Sequence, residues 1–185
     1  MQGTIKKVVV IGPESTGKST LCEQLAAHYQ TRWVPEYARE YLETNGTNYC
    51  FDDLAKIAVG QIKGEDAICN NMELANQDIG TPVFIDTDLY VIKVWSEIAF
   101  NKCDNNILTQ IAKRPYDLYL LCNTDLPWVK DNLREYPDLH TRESIYQHYL
   151  DVMVHQQTPW AVIDGNYESR LSKAINAVNK FKFSA

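Results

Sequence analysis

Short apolar runs rich in β-branched residues alternate along the chain with longer stretches whose apolar positions recur at helical spacing. Lys6–Ile11 ends in four consecutive apolar residues, the pattern of a strand covered on both faces of a parallel sheet. From Lys18 to Gln30, the residues Leu21, Cys22, Leu25, Ala26 and Tyr29 share one helical face. Arg32–Pro35 reads as a short, poor strand. Residues 51–77 carry Leu54, Ile57, Ala58, Ile62, Ile68, Met72 and Ala75, which predicts a long helix bent near Gly60 or Gly64. Gly80-Thr81-Pro82 stops that helix, and Val83–Asp86 reads as a third strand. Val91, Val94, Trp95 and Ile98 fall at i, i+3, i+4 and i+7, so Asp88–Phe100 is an amphipathic helix. A fourth strand over Asp117–Cys122, a helix over 139–157, a fifth strand over Ala161–Asp164 and a helix over Glu168–Lys182 complete the pattern.

Five strands separated by helices require parallel pairing through right-handed crossovers. The expected fold is therefore α/β with three layers around a five-stranded parallel sheet. At 185 residues the chain fits a single domain, 1–185, against roughly 150 residues per domain. It contains no repeat, low-complexity tract or linker.

Composition narrows the partners. With 18 Lys plus Arg against 24 Asp plus Glu the net charge is −6, so neither nucleic acid nor an anionic membrane surface is expected as a partner. The five cysteines are scattered without a C-x-x-C pair, which argues against a disulfide framework or a zinc site and for a reducing, cytoplasmic compartment. The run Val8–Ile11 is too short for a signal-peptide core, and no stretch approaches a membrane span.

The chemistry concentrates in Gly12-Pro13-Glu14-Ser15-Thr16-Gly17-Lys18-Ser19, which fits G-x-x-x-x-G-K-[ST] between a buried strand and a helix. In such a loop, successive backbone N–H groups point inward at phosphate oxygens, and the following helix adds its positive end. Lys18 is placed to neutralise the β- and γ-phosphates and Ser19 to ligate Mg²⁺, so ATP and Mg²⁺ are the expected cofactors. The candidate nucleotide contacts are Gly12 and Glu14 through Thr20. Asp86 closes the third strand at the carboxyl edge, where an acid faces the ligand crevice beside the metal. Asp88 is either a substrate contact or the N-cap of the next helix.

Two competing classes are distinguishable. Regulatory GTPases usually carry D-x-x-G and N-K-x-D at the corresponding strand ends, whereas this chain reads Asp86-Thr-Asp-Leu89 and Asn123-Thr-Asp-Leu126. Small-molecule kinases add a substrate pocket after the second strand and an arginine-bearing lid after the fourth. Pro35–Tyr41 supplies the first, with Glu36 either receiving a proton from a substrate hydroxyl or opening an exposed helical turn. Residues 125–142 supply the second, with Arg134 and Arg142 able to close on the transferring phosphoryl group. The four histidines show no metal-ligand spacing and read as surface helix positions; Tyr37, Tyr41 and Trp95 are the aromatic residues expected near the pocket.

These segments together resemble a known family. Gly12-Pro-Glu-Ser-Thr-Gly-Lys-Ser-Thr-Leu21, Val34-Pro-Glu-Tyr-Ala-Arg39-Glu40, Gly60-Gln61, Phe84-Ile-Asp-Thr-Asp88 and Pro127-Trp-Val-x-Asp131-x-x-Arg134 look like the ribosylnicotinamide kinase domain of NadR proteins, over nearly the whole chain. The resemblance implies a kinase-type P-loop fold and transfer of the ATP γ-phosphoryl to the 5′-hydroxyl of nicotinamide riboside, yielding nicotinamide mononucleotide in NAD salvage. By position it places Lys18 and Ser19 on phosphate and metal, Asp86 beside the metal or as base, and Glu36 and Arg39 toward substrate. It places Arg134 and Arg142 in the lid, and Asn166 and Tyr167 where related kinases hold adenine. The nicotinamide ring is expected to stack on Tyr37, Tyr41 or Trp95. Full-length NadR proteins place an adenylyltransferase domain before this one; the phosphate-loop strand here begins at residue 6 and no H-x-G-H motif occurs, so adenylyl transfer is not expected. Two alternatives stand beside this reading: a kinase of another nucleoside or small metabolite, and a non-enzymatic nucleotide-binding regulatory module.

Overall fold

The computed structural model of the protein describes residues 5–74 and 80–181. In chain order the elements are β1 (Lys6–Ile11), α1 (Lys18–His28), β2 (Trp33–Val34), α2 (Tyr37–Asn45), α3 (Phe51–Leu74) and β3 (Pro82–Asp86). They continue with α4 (Leu89–Phe100), α5 (Asn105–Lys113), β4 (Leu118–Cys122), α6 (Leu139–His155), β5 (Trp160–Ile163) and α7 (Tyr167–Lys180). All pairings are parallel, in the order β2-β3-β1-β4-β5. β1 is thus central, with Val10 opposite Asp86 on one side and Ile11 opposite Leu121 on the other.

The two faces of β1 explain the layers. Val8 and Val10 pack with Phe84, Leu118 and Leu120 against Leu21 and Leu25 of α1 and Ala174 and Val178 of α7. Val9 and Ile11 pack with Val83, Ile85 and Leu121 against Met72 of α3, Val94 of α4 and Ile145, Tyr149 and Met153 of α6. All four apolar side chains of β1 are fully buried, each worth about 1.5–3 kcal/mol of transfer free energy. A third cluster, outside the sheet, joins Leu54, Ile57 and Ala58 of α3 to Leu89 and Ile92 of α4 and Ile107 of α5. The expected three-layer α/β architecture is the one observed.

Two helices lie outside the elements expected from the sequence. In α2 only Leu42 is fully buried, and in α5 only Ile107; each is a short helix whose apolar face rests on the third cluster. Both are set by their ends: Gly46 follows α2, and the Asp104 side chain accepts from Asn106 N at the start of α5. Residues 75–77 of the expected long helix, and Lys182 of the last one, lie outside the described residues.

Within α3, Gly60 and Gly64 have different roles. A Cβ on Gly60 would lie 2.0 Å from Cε1 of Tyr37, so the glycine makes room for an aromatic ring laid across the helix. A Cβ on Gly64 would meet only Val34 Cγ1, at 4.0 Å. At the next residue, the buried Glu65 carboxylate is held by Lys7 Nζ, Arg114 Nη2 and the Tyr116 hydroxyl, each at 2.9 Å, which ties α3 to the start of β1. The glycine pair gives an opposed prediction. Gly64→Ala should raise stability by about 1 kcal/mol through helix propensity. Gly60→Ala should lower it by about 1–3 kcal/mol despite the same propensity gain, because the ring is overpacked. Thermal melts of both variants check the sign; a stabilised Gly60→Ala contradicts the ring contact.

Candidate active site

The loop from Gly12 to Ser19 leaves β1 between the carboxyl ends of β3 and β4. Gly12 has φ +141°, and a Cβ there would sit 2.6 Å from the Cys122 carbonyl oxygen, so only glycine lets the loop turn this close to β4. Gly17, at φ +77°, is the left-handed residue from which α1 starts. The loop is braced from inside by Thr16 Oγ1 and Lys18 Nζ, which donate to the Pro13 carbonyl at 2.7 and 2.9 Å. Outside, the buried Arg170 of α7 donates to the carbonyls of Thr16, Asn123 and Gly165 at 2.9, 2.9 and 2.7 Å and pairs with Asp125. Arg170 therefore fastens the phosphate loop to the loops after β4 and β5. No local pattern marks it, since its partners lie far away in sequence.

A cavity of ≈ 1150 Å³, counted to its open mouth, extends from this loop. Its floor is residues 12–20; Glu36, Arg39 and Leu42 form one side, and Arg134, Glu135 and Tyr136 another. Val91, Val94, Trp95 and Ile98, the apolar stripe of α4, form the far wall together with Ile145 and Tyr149 of α6. Of that stripe only Val94 is also fully withdrawn into the core. Trp95 is fixed by donating Nε1 to the Tyr49 hydroxyl at 2.8 Å, with the two rings edge-on at 4.7 Å.

Acids converge behind the floor. Asp86 is 1% exposed, and its Oδ1 has no hydrogen-bond partner. Burial first, then the neighbouring Glu36 charge, push its carboxyl up to about 7, opposed by Lys18, the Ser19 hydroxyl and Arg39. Asp88 is equally buried and is also pushed up by burial to about 7. Between them Thr87 sits at φ +67°, a costly conformation for a β-branched residue. It is held by its own N–H on the Val10 carbonyl at 3.1 Å and by Gln61 Nε2 on its carbonyl at 3.1 Å. Gln61 also accepts from Tyr37 N at 2.8 Å, joining the end of β3 to the start of α2.

The connection from β4 to α6 folds over the loop. The Glu14 carboxylate accepts from Trp128 Nε1, Glu135 N and Tyr136 N, and Ser15 Oγ accepts from Val129 N. Arg134 donates to the Val129 carbonyl, and Arg39 pairs with Asp131 at 3.0 Å.

The structure thus brings together Gly12, Glu14 through Thr20, Glu36, Arg39, Trp95 and Arg134 in one cavity, with Asp86 buried beside Ser19. Other expected residues stand apart. Tyr37 is laid on Gly60 and Tyr41 donates its hydroxyl to Asp53 at 2.7 Å, so neither ring faces the cavity; of the three candidate aromatics only Trp95 does. Asp88 is the N-cap of α4, accepting from Tyr90 N at 3.0 Å and from the Tyr119 hydroxyl at 2.8 Å, and forms no part of the cavity wall. Arg142 belongs to α6 rather than to the preceding loop; it is buried on the face of Ile145 and Tyr149, with Nε and Nη1 unpartnered. Asn166 caps α7 by accepting from Ser169 N at 2.9 Å, and Tyr167 is exposed beside Gly17. All five cysteines are free, the four histidines are exposed on α1 and α6, and no group of three metal-ligating side chains occurs among the described residues.

The family model described as an AAA domain matches residues 7–170, and the chain belongs to that family. It is 25% identical over 181 residues to the trifunctional NAD biosynthesis/regulator proteins NadR of Salmonella typhimurium and Escherichia coli. The match takes in 95% of this chain and 42% of those relatives, so the chain spans less than half their length. Among solved structures it is similar to a NadR protein in complex with NR (TM-score 0.72) and to one in complex with NAD and AMP-PNP (TM-score 0.70). Identity is 25% in both, with 98% of this chain and 50% of each neighbour covered. This member of the AAA-domain family is thus similar to part of NadR in both sequence and fold.

The buried acids set a pH dependence. Asp86 and Asp88 each keep a proton to about pH 7 when folded but release it near the ordinary 3.8 when unfolded. Between those values the folded state binds more protons, so stability falls as pH rises from about 4 to 7. Asp88→Asn should flatten that slope by an amount on the order of a few kcal/mol. Urea midpoints at pH 5 and pH 8 measure it, and an undiminished slope excludes Asp88 as a source.

Proposed function

From family membership and cavity geometry together, we propose that the chain is a kinase that transfers the ATP γ-phosphoryl group to a hydroxyl of a small nucleoside, with nicotinamide riboside as the foremost acceptor. The observation that carries this reading is a single cavity with a phosphate-binding floor at one end and Glu36, Arg39 and Trp95 at the other. A nucleotide-gated module needs no walled acceptor pocket beside its phosphate loop. The substrate is suggested by the similar NadR structures, one in complex with NR and one in complex with NAD and AMP-PNP.

The residues divide the work by position. Backbone N–H groups of residues 13–19 and the Lys18 ammonium hold the polyphosphate, and Tyr167 stands beside Gly17 on the side where a base would emerge. The exposed Ser19 hydroxyl and the unpartnered Oδ1 of Asp86 suit Mg²⁺, which when bound would offset charge on the phosphoryl oxygens. Glu36 opens α2 without capping it, so its carboxylate remains available to the cavity. There it accepts the proton of the attacking hydroxyl as the new O–P bond forms and ADP leaves. Asp86, buried beside Ser19, serves the metal rather than the acceptor. Residues 125–138 act as a lid that excludes water and brings Arg134 to the developing charge, with Arg142 behind it. A nicotinamide ring would lie on Trp95.

Coupled ADP-release assays over a panel of nucleosides test the reading. Nicotinamide riboside should stimulate release, Lys18→Ala should reduce it by about a hundredfold or more with the melt preserved, and Glu36→Gln should lower kcat with the KM for ATP unchanged. Selective use of another nucleoside would replace the acceptor. Absence of stimulation by every nucleoside would end the kinase reading.

A further inference from the structure

Glu14 lies inside the phosphate loop, yet the hydrogen bonds its carboxylate accepts all come from the far side of the cavity. Trp128 Nε1 donates at 3.1 Å, Glu135 N at 2.8 Å and Tyr136 N at 2.7 Å. The next residue, Ser15, accepts from Val129 N at 2.9 Å, and the Val129 carbonyl in turn accepts from Arg134. These contacts close a ring: Glu14, Ser15, Val129, Arg134, Glu135 and back to Glu14. We infer that Glu14 is a positioning residue, not a nucleotide ligand, that sets Arg134 over the phosphate loop; the catalytic part of this rests on the kinase reading above.

The argument is electrostatic and geometric. A carboxylate beside a loop built to collect phosphate oxygens carries the same charge as its ligand, and at such distances like charges repel strongly. Three N–H donors spread that charge only while the 128–136 segment is docked. An undocked segment leaves the carboxylate bare against the polyphosphate. Phosphate in the loop and a docked segment therefore favour each other, which is a coupling between two sites through one side chain. The lever is short, because two of the three donors are the backbone amides immediately after Arg134. A guanidinium misplaced by about 1 Å can cost about a hundredfold in rate. On the acceptor side the segment is gripped independently, by Arg39 on Asp131 at 3.0 Å and by the Tyr49 hydroxyl on Glu135 at 3.2 Å. Loss of Glu14 alone should thus free residues 134–136 from the phosphate loop, while Ser15 still holds Val129 and Arg39 still holds the segment to α2.

Residue-resolved amide exchange on the full chain, without ligand, tests the placement directly. In Glu14→Ala the Glu135 and Tyr136 amides should exchange about tenfold faster or more, while amides within α6 and α7 stay as in the parent. Glu14→Gln retains an acceptor oxygen at the same reach, so its exchange should lie between the two, and it stands in if the alanine variant does not fold. In acceptor phosphorylation Glu14→Ala should lower kcat about tenfold with the KM for ATP changed by less than about threefold, and Glu14→Gln should restore part of the loss. Unchanged exchange at Glu135 and Tyr136 overturns the inference. So does a loss carried entirely by the KM for ATP, which would make Glu14 a phosphate-site residue. If the parent chain phosphorylates no acceptor, the kinase reading fails while the exchange arm still decides whether Glu14 holds the segment.

Discussion

The site depends on β1 being gripped along both edges by parallel neighbours. Pairing with β3 from Lys6 to Val10 and with β4 from Val8 to Ile11 brings the carboxyl ends of three strands level. The chain must then leave the sheet between Asp86 and Cys122, in a gap so narrow that the first residue out can have no side chain. From that exit the loop turns through Gly17, in the left-handed region, and α1 starts at its rim. The acid at the end of β3 is thereby delivered beside the loop, opposite the residue where the exit begins. Connections run to opposite sides of β1, the arrangement in which a parallel sheet opens a ligand crevice.

Burial shapes the electrostatics more than net charge does. A chain with a formal charge of −6 still sets Lys18 and Arg39 in the wall of one cavity, where a few cations at short range outweigh distant screened charges. The same burial raises the carboxyls of Asp86 and Asp88 to similar values for different ends. Asp88 has donors on both oxygens and is finished as a structural cap. Asp86 keeps an oxygen without a partner next to the loop, and that asymmetry distinguishes the two acids.

The cavity's other walls come from elements far apart in the chain that share no local signal. The α4 stripe both packs on the core and lines the cavity. Trp95 can stand at its edge because Tyr49 takes its indole N–H. Arg170 and Glu14 act as opposite anchors of the same loop, one fastening it down to the sheet ends and the other reaching up to the segment above.

Much of this was legible in the residues alone. The unbroken run before Gly12, the G-x-x-x-x-G-K-[ST] spacing and the acid ending Val83–Asp86 are local features with local physical causes, and they determine the central strands, the glycine-bounded loop and the buried acid beside it. The α1 face and the α4 stripe were equally plain, since periodicity reports which side of a helix avoids water. Periodicity does not report what lies on that side, so it could not show that the α4 stripe lines a cavity. In helices of nine residues, such as α2 and α5, the apolar face spans too few turns to stand out from the neighbouring loops. Only the tertiary structure decided which aromatics face the cavity, turning Tyr37 onto Gly60 and leaving Trp95 in the wall, because the outcome depends on whether a ring finds a helix groove close enough to fill. It alone decided that Asp88 is a cap, that Arg142 is buried in α6 and that Glu14 faces the segment above it, because each depends on a partner more than thirty residues away or on packing between layers that no local pattern encodes.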